Sequence, residues 1–207
     1  MEARRRSERG NVMLFALLCL PLVIVSMALG VDIARGHAVQ IMQKHELDDA
    51  QQAVLVRQEQ VKYATDPAGL CRELVQESLE QDGFVGTAQL SYLERYHKRQ
   101  PGSAADDERH VVAELVLCRG IGSSFGLWRG VPASDSVVWT MVPYASYQVF
   151  RPPSLADADG ATYGRRYLLE FTREGDRSLG TLRSESPLDA GGLSHGALAA
   201  LDALALS

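Results

Sequence analysis

The chain has 207 residues, 46% of them hydrophobic and 23% charged, which leaves room for a membrane segment plus one domain of ordinary size and excludes wholesale disorder. Its net charge is −5, and since the first ten residues contribute +2 from four Arg and two Glu, the remainder carries −7. Such an acidic remainder, without clustered Lys and Arg, argues against nucleic acid as a partner, because neutralising phosphates requires basic clusters.

Residues 1–10 are short, polar and basic, with arginines at Arg4, Arg5, Arg6 and Arg9. Gly10 to Val31 then runs for 22 residues without a charge, GNVMLFALLCLPLVIVSMALGV. At about 1.5 Å per residue this helix spans roughly 33 Å, close to the hydrocarbon thickness of a bilayer. Residues 11–31 are therefore expected to form a single transmembrane helix. The four arginines outnumber Arg35 and Lys44 on the far side, so the N-terminus should stay in the cytoplasm and the remainder outside it, in an inner-membrane, single-pass arrangement. Pro21 sits mid-span, where a membrane helix tolerates a kink, and Gly30 and Gly36 permit close backbone approach; with Pro21 they are the candidate helix-packing residues. A cleaved secretory signal is the competing reading, with Ser26-Met27-Ala28 as a loose small-x-small site. The apolar run exceeds the usual signal core of about 7–15 residues, which favours a retained anchor.

Residues 32–83 read as a helical stem. Val31, Ala34, Ala38, Ile41, His45 and Asp48 recur at helical spacing, as do Leu47, Ala50, Val54, Arg57 and Val61; both stripes are small and interrupted, suited to close helix packing. Asp66-Pro67 restarts a helix as N-cap and first-turn residue, with Leu70, Cys71, Leu74, Val75 and Leu79 on its buried face and Gly83 at its end.

Residues 84–207 read as a β-rich domain. Ala88–Tyr96 and Val111–Leu117 alternate, Val137–Phe150 is rich in β-branched and aromatic residues, and Arg165–Arg173 supplies a further strand. Turn-like linkers fall near 99–108, 120–134 and 151–164. Strands without intervening helices imply an antiparallel sheet, so the expected fold is α+β, with about four strands packed on the preceding helices. Ser194–Leu206 is Ala/Leu-rich, a short helix or a frayed tail.

Cys71 and Cys118 are candidate disulfide partners; the bridge would close a loop of 46 intervening residues, worth about 4 kcal/mol by loop-closure entropy. Two buried free thiols are the alternative. Three catalytic signatures are absent: there is no His-Glu-x-x-His, Walker loop or Cys-x-x-Cys. The five histidines (His37, His45, His97, His110, His195) are scattered without metal spacing. Asp157-Ala158-Asp159-Gly160 resembles part of a calcium loop, but Leu168 stands where the bidentate Glu should be. Trp128, in a glycine-rich loop, is a core or loop anchor, or else a contact residue. The expectation is a protein without enzymatic activity and without a cofactor. An enzyme would instead gather Glu114, Glu170, His110 or tyrosines of the sheet into a pocket.

Arg5-Arg6-Ser7-Glu8-Arg9-Gly10-Asn11-Val12, then Leu14-Phe15-Ala16-Leu17 with Pro21, then Gly30-Val31-Asp32 and Arg35, resemble the TadE/TadG-like proteins of the tight-adherence (Flp, type IVb) pilus. Leu47-Asp48-Asp49-Ala50-Gln51-Gln52-Ala53 resembles the stem of that family, and the close match covers about residues 5–55. The resemblance implies a minor pilin or pilus-assembly component whose N-terminal helix packs with other pilus subunits in the membrane. It also implies Gly10 and Asn11 as the candidate processing site. TadE-type pseudopilins place a Glu just before the Phe-Ala pair; here Asn11, Val12, Met13 and Leu14 precede Phe15, a departure that favours a TadG-like, unprocessed membrane protein. The runner-up reading is a secreted or membrane-tethered binding module or enzyme.

Overall fold

The computed structural model describes residues 2–97, 108–120, 132–145 and 160–205. Helix α1 (Glu2–Val56) is followed by α2 (Gln58–Tyr63) and α3 (Pro67–Gln81), then strands β1 (Gly86–His97), β2 (Glu108–Gly120), β3 (Pro132–Ala145), β4 (Thr162–Glu174) and β5 (Arg177–Pro187), and finally α4 (His195–Ala205). The chain divides into two compact units, Met1–Ile41 with Gly120–Ala133, and Met42–Arg119 with Ser134–Ser207. Helical residues from Met42 onward thus belong with the sheet, and the division falls inside the 32–83 stretch read as a stem.

In the first unit, α1 continues through Pro21, whose missing N–H leaves the Leu17 carbonyl without its helical donor. One turn later the Ser26 hydroxyl donates to the Leu22 carbonyl at 2.7 Å. From Phe15 onward the helix is long and apolar enough to cross a membrane. Its large apolar side chains are exposed all round, Leu17 at 72% and Leu22 at 70%, a pattern that water disfavours and a bilayer accepts.

The second unit is α+β. A five-stranded sheet in the order β3-β2-β1-β4-β5 places β1 at its centre, antiparallel to both β2 and β4. On one face, Ala88, Leu90 and Tyr92 of β1 line up with Leu117, Leu115 and Ala113 of β2 and, for the first two, with Leu169 and Tyr167 of β4. These residues join Leu47, Ala50 and Val54 of α1 and Cys71, Leu74, Val75 and Leu79 of α3 in the main core. Only the Leu47-Ala50-Val54-Val61 stripe is buried; Val31 and Ile41 of the other remain exposed. Asp66 caps α3, its carboxylate accepting from the Gly69 N–H at 3.0 Å, and the chain leaves the helix at Gly83, φ +70°.

The opposite face is covered as well, which a helix layer on one side alone did not anticipate. Leu93 and Val112 pack against Leu188, Leu193, Ala197 and Leu201 in a smaller core. The C-terminal stretch is a helix here, begun by Ser194, whose hydroxyl accepts from the Ala197 N–H at 3.2 Å. The sheet has five strands rather than about four. Strand β5 is polar and almost wholly exposed, so it lacks the apolar alternation that marks half-buried strands. Its signal is the two-residue turn Gly175-Asp176, flanked by the pair Glu174 and Arg177, with Gly175 at φ +61°.

The Cys71–Cys118 bridge is not formed; both are free thiols. Cys71 lies fully buried in the helix-side core, whereas Cys118 pairs with Thr87 on the other face of the sheet, one residue out of phase with buried Leu117. Its sulfur lies 3.5 Å from the Ser134 hydroxyl. Burial pushes the Cys71 thiol up to about 12, so it is not a nucleophile near neutral pH. Maleimide treatment of the native protein should label Cys118 and spare Cys71 until denaturant is added, as read by peptide mass spectrometry. A linked Cys71–Cys118 peptide without reductant would contradict this arrangement.

Candidate functional site

The residues singled out in the N-terminal segment all fall within α1. Gly10 and Asn11 are helical, and Pro21 lies inside the helix. A Cβ built at Gly30 or Gly36 would meet nothing within 4 Å, so no contact of the described chain requires either glycine to be small. Both leave the helix backbone accessible to a neighbouring helix. Trp128 and the Asp157-Ala158-Asp159 turn lie outside the described residues.

In the sheet unit, alternation places Tyr92 and Glu94 on the helix-side face. The Glu94 carboxylate, 2% exposed, accepts from the Tyr92 hydroxyl at 2.7 Å and the Tyr144 hydroxyl at 3.1 Å. It also accepts from Arg109 Nη1 at 3.3 Å. The Tyr144 ring meets Tyr63 edge-on at 6.4 Å and carries the Lys62 ammonium 5.8 Å from its centre. One buried ion pair thus ties β1 and β2, and through Tyr144 it reaches β3 and α2. Reading the sequence missed its role, although Glu94 already stood in phase with the apolar residues of β1.

A second pair joins α1 to the end of β2. Arg119 donates to Glu46 at 2.7 Å and to the Val85 carbonyl at 3.2 Å, and its guanidinium lies 4.9 Å from the Phe84 ring centre. Burial raises the Glu46 carboxyl above its ordinary range despite the opposing charge of Arg119, so here desolvation outweighs attraction.

The polar groups considered for an enzyme do not converge. Glu114 and Arg166 flank Ser91 on the α4 side of the sheet. Glu114 accepts from the Ser194 N–H at 3.3 Å and Arg166 donates to the Gly192 carbonyl, so both hold the backbone leading into α4, a favourable place for a carboxylate at a helix start. Glu170 pairs with Arg183. His110, four residues from Glu114 and so about 13 Å along the strand, lies 3.3 Å from Glu108 and stacks on His97. An open groove of about 420 Å³ between α1 and α3 is lined by Asp49, Gln52, Val56, Glu77 and Asp82 among others. There burial, and secondarily the charge of Asp49, raises the Asp82 carboxyl. Among the described residues no group of three or more His, Cys, Asp or Glu is placed to hold a metal ion.

Comparison of the chain with protein-family models, curated proteins and solved structures returns no match.

Arg109→Met should strand the buried Glu94 charge and cost about 3–5 kcal/mol, measurable as a lowered urea midpoint; an unchanged midpoint would refute the role of the pair. Glu46 carries a pH signature. Its folded form holds the proton more tightly than the unfolded form, so the cost of burying its charge is relieved as pH falls through the raised folded-state value toward the ordinary carboxylate range. The stability difference, wild type minus Glu46→Gln, should therefore shift in favour of wild type on acidification, as read by paired denaturation curves.

Proposed function

We propose that this protein is a membrane-anchored, non-enzymatic subunit of the TadE/TadG-like kind, acting in pilus assembly through helix packing and protein–protein contacts. The observation that carries the reading is the N-terminal segment itself. Arg5 to Val12 leads into Phe15-Ala16-Leu17 and Pro21, and a helix follows whose apolar side chains are exposed around its circumference. Such a surface finds its partners in lipid and in other membrane helices, where small residues such as Gly30 allow close approach. The charge asymmetry of Arg4, Arg5, Arg6 and Arg9 against Arg35 and Lys44 favours a cytoplasmic N-terminus and an extracytoplasmic sheet unit. The polar groups of that unit support a scaffold role. Glu94, Glu114 and Arg119 bind the protein's own backbone and side chains, and so act as internal ties.

Lacking the Glu before Phe15-Ala16, the chain fits the unprocessed TadG-like form better than the cleaved pseudopilin. N-terminal sequencing and carbonate extraction of the protein from cells carrying its own pilus system test this. An intact N-terminus in the carbonate-resistant membrane fraction is expected. A start at Asn11 would restore the pseudopilin reading, and a soluble form starting near Leu29 would remove the anchor and the proposal with it. Gly30→Leu should reduce co-purification of pilus components at least several-fold while the sheet unit's melting stays unchanged; undiminished co-purification would refute packing through this face.

A further inference from the structure

Strand β5 is a free edge of the sheet, and an exposed edge ordinarily invites another strand. In this protein α3 reaches around that edge. Gln76 Nε2 donates to the Gly180 carbonyl at 2.9 Å, the Gly180 N–H donates to Glu80 Oε1 at 2.8 Å, and Gln76 Nε2 also donates to the same Glu80 oxygen at 2.9 Å. Both backbone groups of Gly180 are thereby occupied by side chains one helical turn apart. Gly180 pairs with Phe171, and with its N–H and C=O bound to α3 it is a position whose hydrogen-bonding groups point away from β4.

Three further features belong to the same device. A Cβ at Gly180 would fall 2.7 Å from the Phe171 ring, 2.9 Å from Gln76 Cγ and 3.1 Å from Glu80 Oε1; only glycine lets the two side chains close on the strand. Two residues earlier, buried Ser178 donates its hydroxyl to the Phe84 carbonyl. Beyond the clasp the ladder is irregular between Leu168 and Leu169, where Arg183 is left out of the pairing, and the strand ends at Pro187. Bulges and proline are established means of spoiling an edge.

We propose that the Gln76–Glu80–Gly180 clasp is an autoinhibitory contact that closes the β5 edge to strand addition, and that the occupant it excludes is the β5 edge of a second copy of this chain. Antiparallel pairing of two identical edges is self-complementary and closes as a two-fold dimer. With the clasp in place, the sheet unit is left without a β5-to-β5 route of self-association.

The experiment uses the full chain in detergent. In the wild type, hydrogen exchange should show Gly180 protected despite its edge position, and Glu80→Ala should speed its exchange by about tenfold or more, as loss of a bond to a charged acceptor requires. The double variant Gln76→Ala/Glu80→Ala should double the protein mass per particle relative to wild type in light scattering. Adding Leu182→Pro, at the next outward-facing position, should restore the wild-type mass. Unchanged Gly180 exchange overturns the clasp. Unchanged mass with intact circular dichroism, or extra mass or precipitation that Leu182→Pro does not cure, overturns the exclusion of a second copy. Should the double variant precipitate, Gln76→Ala alone, which frees only the Gly180 carbonyl, gives the same mass readout.

Discussion

Strand β1 is buried on both faces from Leu90 to Glu94, and the rest of the sheet unit can be understood as the means of covering it. A central strand with two dry faces needs a layer on each side, because apolar side chains at successive positions point in opposite directions. Residues of α1 and α3 supply the larger layer, over Ala88, Leu90 and Tyr92. Leu188, Leu193, Ala197 and Leu201 supply the smaller one, over Leu93 and Val112. The second layer is small and Ala-rich, and it depends on polar anchors at the Gly192–Ser194 backbone, where Arg166 and Glu114 grip it.

The same constraint explains the buried charges. A strand that is dry on both sides carries Glu94 into the interior, and a buried carboxylate is tolerable only with donors around it. Arg109, Tyr92 and Tyr144 provide them. Glu46 and Arg119 do the corresponding work where α1 meets the end of β2. Charges that look reactive when written in a line are, once folded, ties between elements. A continuous run of exposed apolar side chains lies instead on the N-terminal part of α1, the segment on which the proposed role in assembly rests.

The helices were legible because their signals are local. Asp66-Pro67 before an apolar stripe and Gly83 after it depend on capping and turn chemistry within a few residues, and the 22-residue uncharged run needs only counting. Strands β1 and β2 were legible from the apolar residues at every second position of their helix-side face, Ala88, Leu90 and Tyr92 in one and Val111, Ala113, Leu115 and Leu117 in the other. Strand β5 was not, because an exposed edge strand has no buried face to impose that period; only its Gly175-Asp176 turn marked it. The second core was equally hidden. Leu93 and Val112 are out of phase with the helix-side residues, and nothing local distinguishes a covered outer face from a solvated one.

By itself, then, the sequence determined an apolar N-terminal helix, a capped α3 and an antiparallel sheet, all properties set by composition, period and nearest neighbours. The tertiary structure alone decided which distant residues meet. It placed Cys71 in the helix-side core and Cys118 on the other face of the sheet, brought Arg109 to Glu94 and Arg119 to Glu46, and carried Gln76 and Glu80 around the edge to Gly180. Those outcomes depend on strand register and on which helix covers which face, and these are fixed only when the whole core is packed.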